Sequence, residues 1–480
     1  VAGGGTAGFI SALILKKRFP KLKVSVVRST KLGIIGVGEG STEHWKQFMD
    51  FIGISLWDVV RECDATCKAG IMFQNWGVPD YLHSIQKEFD KQDAQCSIVL
   101  ANLISKNARP QDFVGKPFWN STVNRWFLSN PDEFPTMQFH FNTNKLNTFL
   151  TNLAEKFSID VVDDEILEAV CDENGIKELK GNKQTYTADF YIDSTGFKRV
   201  LIGNLGAKWT SYSKYLKMKA AIAFPTPDTD DYNMWTIARA MDYGWLFRIP
   251  VFGRGGNGYI FDSDYIDADQ AKQEVESFLG HEITVGKHLT FDPGALDKVW
   301  IKNCCAVGLS ANFVEPLEAT SIGTSIQQMF LLMHRLPNYD EKIINSYNKD
   351  VSSIMINIRD FIVMHYQTPR TDTKFWQDLK TLEIPDSLQE KLERWQIKLP
   401  IREDFNQNST YALFTERHHI FIAMGLGLFN NQKIREEYEM LPIELKIYVD
   451  NLIRDVKLHD ETVGTISHKN FLKAIRNVKA

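Results

Sequence analysis

Residues 312 to 330, "NFVEPLEATSIGTSIQQMF", hold two carboxylates, Glu315 and Glu318, against a run of small residues. A helix is expected to begin at Thr320 and Ser321 and to run through Ile326, Met329, Phe330 and Met333. Its first backbone N–H groups lack intrahelical acceptors and can hold an anion. Glu318 beside them reads as an acid stabilised by the helix dipole, and Glu315 as a structural acid paired to a basic residue. Lys68 lies in the apolar stretch "ATCKAGIMF". Such a lysine either snorkels to water or is held for chemistry, because burial lowers its pKa and makes it a proton donor or nucleophile. Gly3-x-Gly5-x-x-Gly8 supplies a third chemistry, close backbone approach to a pyrophosphate.

The elements that must position these groups follow the pattern of apolar residues. "VAGGGTAG", "FISALILKKRF" and "KVSVVRS" read as strand, glycine turn, helix and strand, the first half of a dinucleotide-binding unit. "NTNKLNTFLTNLAEKF" is helical, with Leu146, Phe149, Leu150 and Leu153 on one face. "GIKELKGNKQTYTADFYIDSTG" reads as a hairpin followed by a buried strand ending at Gly196. The strands "LKMKAAIAFP", "GWLFRIPV" and "GNGYIFDS" follow, then a helix closed by Gly280. From Asn338 onward the pattern is mostly helical. The expected division is a cofactor-binding core over 1–337, with an irregular insertion at 76–135 on the substrate side, and a helical part over 338–480.

Composition bounds the function. The chain has 480 residues, enough for more than one substructure, and a net charge of −5 that argues against nucleic acid as partner. No apolar run reaches the length of a membrane span. The six cysteines show no CxxC spacing, so no metal site is expected, and they read as buried free thiols in a reducing, cytoplasmic compartment. The opening "VAGGG" lacks a methionine and reads as missing a few native residues; no secretory signal is legible.

Where a ribose-binding acid normally ends the second strand, this chain has Arg28, which suits a 2′-phosphate and makes an NADP site a rival. Two further strand ends favour flavin: "YIDSTGF", with Gly196, and "CCAVGLSANF", with Gly308. Three strand ends converging on one cofactor describe an α/β flavoprotein.

Several motifs in order carry a resemblance: "IGVGEGST" (35–42), "ATCKAGIMFQNW" (65–76), "QFHFNTNKL" (138–146), "DSTGF", "GWLFRIPVFGRGGNGYIF" (244–261), "KNCCAVGLSANFVEPLEATSIG" (302–323) and "RDFIVMHYQTPRTDTKFW" (359–376). From residue 1 to about 376 the chain resembles the flavin-dependent halogenases of the tryptophan-halogenase family, including members encoded by marine viruses, for which the compartment would be the host cytoplasm. The resemblance implies a Rossmann-like FAD domain of the flavoprotein monooxygenase type, with a helical C-terminal part covering the substrate. It implies FAD used as FADH2, with O2 and halide, and a separate NAD(P)H-dependent flavin reductase as partner; a homodimer is left open. Hypohalous acid would travel a tunnel to Lys68, assisted by Glu318. Halide would sit at Thr320 and Ser321. Flavin contacts would come from Gly3, Gly5, Thr6, Ala7, Gly8, Arg28, Gly36, Val37, Gly38, Glu39, Gly196, Gly308 and Phe313. Trp245, Phe247 and Pro316 would wall the pocket of an electron-rich small molecule.

The chain also departs from the family. Ala319 replaces a usual serine, Ser321 a usual glycine and Phe247 a usual tryptophan. The first two changes make bromide or iodide, rather than chloride, the expected halide. The tail "LFTERHHIFIAMGLGLFNN" lacks features expected of free-tryptophan binders. His83, Trp119, Trp126, Tyr411 and Phe414 could stack on an aromatic ring, or be core. Two rivals stand beside this reading: a single-component aromatic hydroxylase, disfavoured by Gly308-Leu309-Ser310 having no acid, and a non-catalytic flavin-binding protein.

Overall fold

The computed structural model describes residues 1–34, 39–85, 96–109, 119–134, 138–230, 232–401, 404, 411–458 and 464–477. The chain forms two compact units that interleave along the sequence. One comprises Val1–Ala65, Phe141–Ser213 and Asp292–Ile356; the other comprises Thr66–His140, Lys214–Phe291 and Asn357–Ala480. This partition by tertiary contact differs from the sequential one at residue 337, because strands distant in sequence pair with one another.

The first unit is built on parallel pairing. Strand Ser25–Arg28 runs parallel to Asp160–Asp163, and Tyr191–Asp193 parallel to Cys304–Ala306. Ala2 bridges the two pairs, making parallel contacts with both Val27 and Asp193. The N-terminal segment is therefore the centre of the sheet, and helix Thr6–Arg18 leaves it directly with Phe9 to Leu15 buried. Helices Thr143–Lys156 and Thr320–Arg335 pack against that helix. The expected hairpin is present as Gly175–Gly181 paired with Thr185–Tyr186, and a further strand, Ile166–Asp172, extends it.

The second unit holds a seven-stranded sheet. Its order is Lys287–Thr290, Ala220–Thr226, Arg254–Phe261, Gly244–Val251, Trp235–Ala240, Gly70–Gln74 and Tyr81–Ser84. Alternation along Gly244–Val251 puts Leu246 into a core with Tyr259, Phe261, Ala271 and Val275, beneath helix Ala268–Leu279. That helix ends on Gly280 in the left-handed conformation, as expected. The helical tail includes Glu416–Leu426, Asn431–Glu439, Ile443–Leu458 and His468–Asn477. Among the described residues no helix is long and apolar enough to cross a membrane.

Among the described residues the second unit buries six histidines, four of which, His83, His365, His418 and His419, gather around Phe361. His83 and His418 share a hydrogen bond of 2.9 Å, His365 donates to Phe361 O and His419 to Thr415 O. Burial, with Lys391 adding repulsion, holds the His419 imidazole down at about 3; burial holds His468 at about 4. An unfolded histidine titrates near 6.5, so between roughly pH 6.5 and 4 the unfolded chain binds protons that these two folded sites refuse. Their contribution to stability is complete above pH ~6.5 and falls as pH falls. Each should add a slope of about 1.4 kcal/mol per pH unit through that window. Urea unfolding between pH 7 and 4.5 measures it; a flat midpoint would contradict the burial.

Candidate functional site

The glycine turn is set by backbone contact. Gly3 has φ +110°, and a Cβ on it would lie 2.2 Å from Ser194 O; one on Gly8 would lie 2.0 Å from Gly3 O. Those two glycines are structural necessities. Gly5 differs, since a Cβ there would meet nothing within 4 Å among the described residues. It opens the head of helix Thr6–Arg18, whose first turn has no acidic residue and no side-chain cap. That is the room a pyrophosphate needs at a helix N-terminus.

The other two strand ends close on the same turn. Ser194 Oγ donates to Ala2 O and Gly3 O, at 2.9 and 3.1 Å. Gly308, at φ +66°, approaches Ala7 so closely that a Cβ would lie 2.6 Å from the alanine methyl. Asp193 ties these parts together. Fully buried, it accepts from Thr195 N and Oγ1, Leu201 N, Ile202 N and Ser310 Oγ. Ser310 also donates to Gly196 O, and Phe197 meets Phe313 edge-on at 5.4 Å. Nothing in the sequence assigns Asp193 or Ser310 a role; a carboxylate followed by Ser-Thr-Gly at a buried strand end is the one local signal of the first.

Arg28 does not reach outward from its strand. Its stem lies over Gly4, where a Cβ would be 2.3 Å from Arg28 Cβ, and its NH1 donates to Thr151 Oγ1 at 3.1 Å. The guanidinium stands 5.9 Å from the Phe9 ring. Gly36, Val37 and Gly38 lie outside the described residues, and of Glu39 only the backbone, in strand Glu39–Gly40, is described. The following Thr42 packs on Gly323 of helix Thr320–Arg335, where a Cβ would meet its hydroxyl at 2.3 Å.

The second helix head has unusual geometry. Glu318 (φ 69°, ψ 2°) and Ala319 (φ 55°, ψ 44°) are both left-handed, and Thr320 returns to the right-handed region. A left-to-right succession turns consecutive N–H groups into one concavity, which favours an anion. Ala319 N–H is spent on Pro316 O at 3.0 Å, and no side chain caps the 16-residue helix. Its first turn has no acidic residue, and Thr320 is buried while Ser321 is exposed. Glu318 is buried at 5% exposure and Glu315 completely so.

In the second unit Lys68 is only 2% exposed. Its strand, Thr66–Lys68, pairs antiparallel with Gln138–Phe141 through Thr66↔His140 and Lys68↔Gln138. Thr66 donates its hydroxyl proton to Pro250 O at 2.6 Å and so accepts from His140 Nδ1 at 3.1 Å. His140 Nε2 then accepts from Thr236 Oγ1 at 2.8 Å. Burial, then the Lys68 charge, then His468 push the His140 pKa well down, leaving a neutral ring. Trp245 and Phe247 are buried on one face of their strand with centroids 6.2 Å apart, and Gly258 opposite leaves room for the Phe247 ring.

Among the suggested stacking residues, His83 and Phe414 belong to the aromatic core of the tail; Phe414 stacks on Phe361 at 3.9 Å. Trp119 leans on Trp235, and Trp126 and Tyr411 are exposed. Cys63, Cys67, Cys304 and Cys305 are buried free thiols, but Cys171 is exposed on a hairpin edge. No cluster among the described residues could hold a metal ion.

A parallel sheet whose strand ends surround an open glycine turn, beside a second uncapped helix head, is the frame of a flavin-dependent oxidoreductase. The tryptophan-halogenase family profile matches residues 1–439, and the chain belongs to that family. It is 32% identical over 447 residues to the 7-chloro-L-tryptophan 6-halogenase KtzR of Kutzneria, covering 84% of this chain and 86% of that protein. It is 30% identical to the tryptophan 6-halogenase SttH of Streptomyces toxytricini, over 89% and 88% of the two chains. Among solved structures, Xcc4156, a flavin-dependent halogenase from Xanthomonas campestris, superposes with a TM-score of 0.87 at 28% identity, covering 100% of this chain and 98% of that one. The protein is thus a flavin-dependent halogenase, an enzyme of the oxidoreductase class that works on aromatic substrates.

The same substitution at two glycines should separate structure from binding. Gly8→Ala should destabilise the fold by more than about 2 kcal/mol through overpacking, lowering the melting temperature. Gly5→Ala should melt as the wild type yet bind flavin about tenfold more weakly, because its methyl occupies the open turn; fluorescence titration reads this. Ala319→Gly should raise stability by about 1 kcal/mol, since glycine alone holds φ +55° without strain.

Proposed function

We propose that the chain halogenates an electron-rich aromatic molecule with hypohalous acid, which Lys68 receives and orients while Glu318 assists proton movement. The observation that supports this most is the burial of Lys68, an ammonium side chain on a short strand between Cys67 and Ala69, both wholly inaccessible. A buried charge is costly unless it is used or compensated. The flavin, once reduced and supplied with O2 and halide, provides the oxidising equivalent. Gly3, Gly5 and Gly8 would hold its pyrophosphate; Gly196, Gly308 and Phe313 would line its flank. The concavity at Thr320 and Ser321 would hold the halide. Trp245, Phe247 and Pro316 would exclude the organic substrate from the flavin and so suppress direct hydroxylation.

Flavin-dependent halogenases work as two-component systems, and reduced flavin would reach this chain from a separate NAD(P)H-dependent reductase. Arg28, folded back over Gly4, offers no carboxylate to a ribose, which favours a flavin that binds weakly and exchanges. We further propose that bromide or iodide is preferred to chloride. Ala319 brings no hydroxyl to the helix head, Ser321 is exposed, and the larger halides shed water and are oxidised more readily. The organic substrate is proposed to be an aromatic other than free tryptophan.

With chemically reduced FAD, Lys68→Ala should form no halogenated product while flavin reoxidation continues; product formation would refute the role of Lys68. Glu318→Gln should lower kcat by at least tenfold with little change in KM. In a mixture of equal chloride and bromide, brominated product should dominate. A panel of indoles, phenols, pyrroles and anilines, read by mass spectrometry, tests the substrate class.

A further inference from the structure

We propose that His468 is a positioning residue for Lys68, so that the C-terminal strand and helix, Thr465–Ser467 and His468–Asn477, belong to the working site. The inference rests on the role given to Lys68 above. Both elements lie beyond residues 1–439 that the family profile matches.

The argument starts from an interrupted ladder. Ala69 N–H donates to Met234 O at 2.6 Å, where the parallel pairing of Gly70–Gln74 with Trp235–Ala240 begins. Two residues earlier on each chain, the next bond of that ladder would join Cys67 N–H to Tyr232 O. Instead an imidazole is inserted. Cys67 N–H donates to His468 Nε2 at 3.2 Å, and His468 Nδ1 donates to Tyr232 O at 2.9 Å. Because an amide only donates and a carbonyl only accepts, the tautomer is dictated: Nδ1 carries the proton and Nε2 the lone pair. His468 is 1% exposed, and its burial keeps the ring neutral at working pH.

The ring therefore holds two strands apart at the residue preceding Lys68. The opposite edge of the same strand is fixed by His140 through Thr66. Both supports are neutral. They fix the backbone of the strand without adding a charge beside it.

The tail does not depend on this ring for its attachment. His468 N–H donates to Ser121 O at 2.8 Å, and Thr465–Ser467 pairs with Thr122–Asn124. Lys469 bonds Asp228, Asp230 and Thr229 O and covers the Tyr232 ring. Phe471 stacks on Phe134, and Arg476 lies over Phe252. A substitution at 468 thus tests position rather than docking.

The test compares wild type, His468→Phe, His468→Gln and Lys68→Ala. Each receives chemically reduced FAD, bromide and a mixture of indole, phenol, pyrrole and aniline; brominated product is counted per flavin oxidised. His468→Phe should lose at least tenfold in that ratio while flavin reoxidation stays within twofold. His468→Gln, which can still accept and donate, should keep at least a third. Wild-type coupling in His468→Phe, with Lys68→Ala inactive, would overturn this inference alone. Product from Lys68→Ala would overturn the reading of Lys68 and this inference with it. Should His468→Phe fail to fold, the wild-type protein decides by ¹⁵N NMR at pH 7. The imidazole signal absent from His468→Gln must be the Nδ1-protonated tautomer, and an Nε2-protonated one would overturn the proposal.

Discussion

The first unit depends on how closely backbone approaches backbone at the head of its first helix. At Gly3 and Gly8 the missing Cβ is what lets the central strand, the Ser194 turn and the helix occupy adjoining space; at Gly308 it lets the third strand end reach Ala7. Asp193 makes the arrangement affordable as a buried carboxylate, since five donors replace the water it lost. The open turn at Gly5 exists because everything around it is this tightly closed.

The second helix head is made by conformation rather than composition. Two successive left-handed residues cost on the order of 1–3 kcal/mol each. The packing of helix Thr320–Arg335, with Ile326, Met329 and Leu332 wholly buried, offsets that cost. What the strain provides is a concavity of N–H groups at a helix whose own first turn carries no acid, with Glu318 in the turn just before it. Lys68 in the second unit presents a similar economy. Its strand is three residues long and could not hold a buried ammonium group in place alone. Neutral imidazoles and a threonine hydroxyl on its two edges supply the rigidity that its length does not.

Much of this was legible locally. Gly3-x-Gly5-x-x-Gly8 between strand and helix, the Asp193–Gly196 turn, the helix starting at Thr320 and the Gly280 stop depend on neighbours a few residues away, and all appear where the spacing puts them. The strand at Gly244–Val251 is likewise present where the sequence places it. Aromatic candidates fared differently. His83 and Phe414 are polar-edged or flat rings suited to a ligand, yet the fold packs them on His418 and Phe361. Ring type does not reveal which partner a ring will meet.

The amino-acid order by itself determined the family, the cofactor turn and which residues are candidates for chemistry, because these are written in short spacings and residue types. Only tertiary structure decided that the units interleave along the sequence, that Arg28 folds back over Gly4, that Glu318 and Ala319 are left-handed, and that an imidazole four hundred residues downstream accepts from the backbone of Cys67, the residue before Lys68. Those outcomes depend on long-range pairing and burial, and hydrogen bonds between distant segments leave no periodic trace in either one.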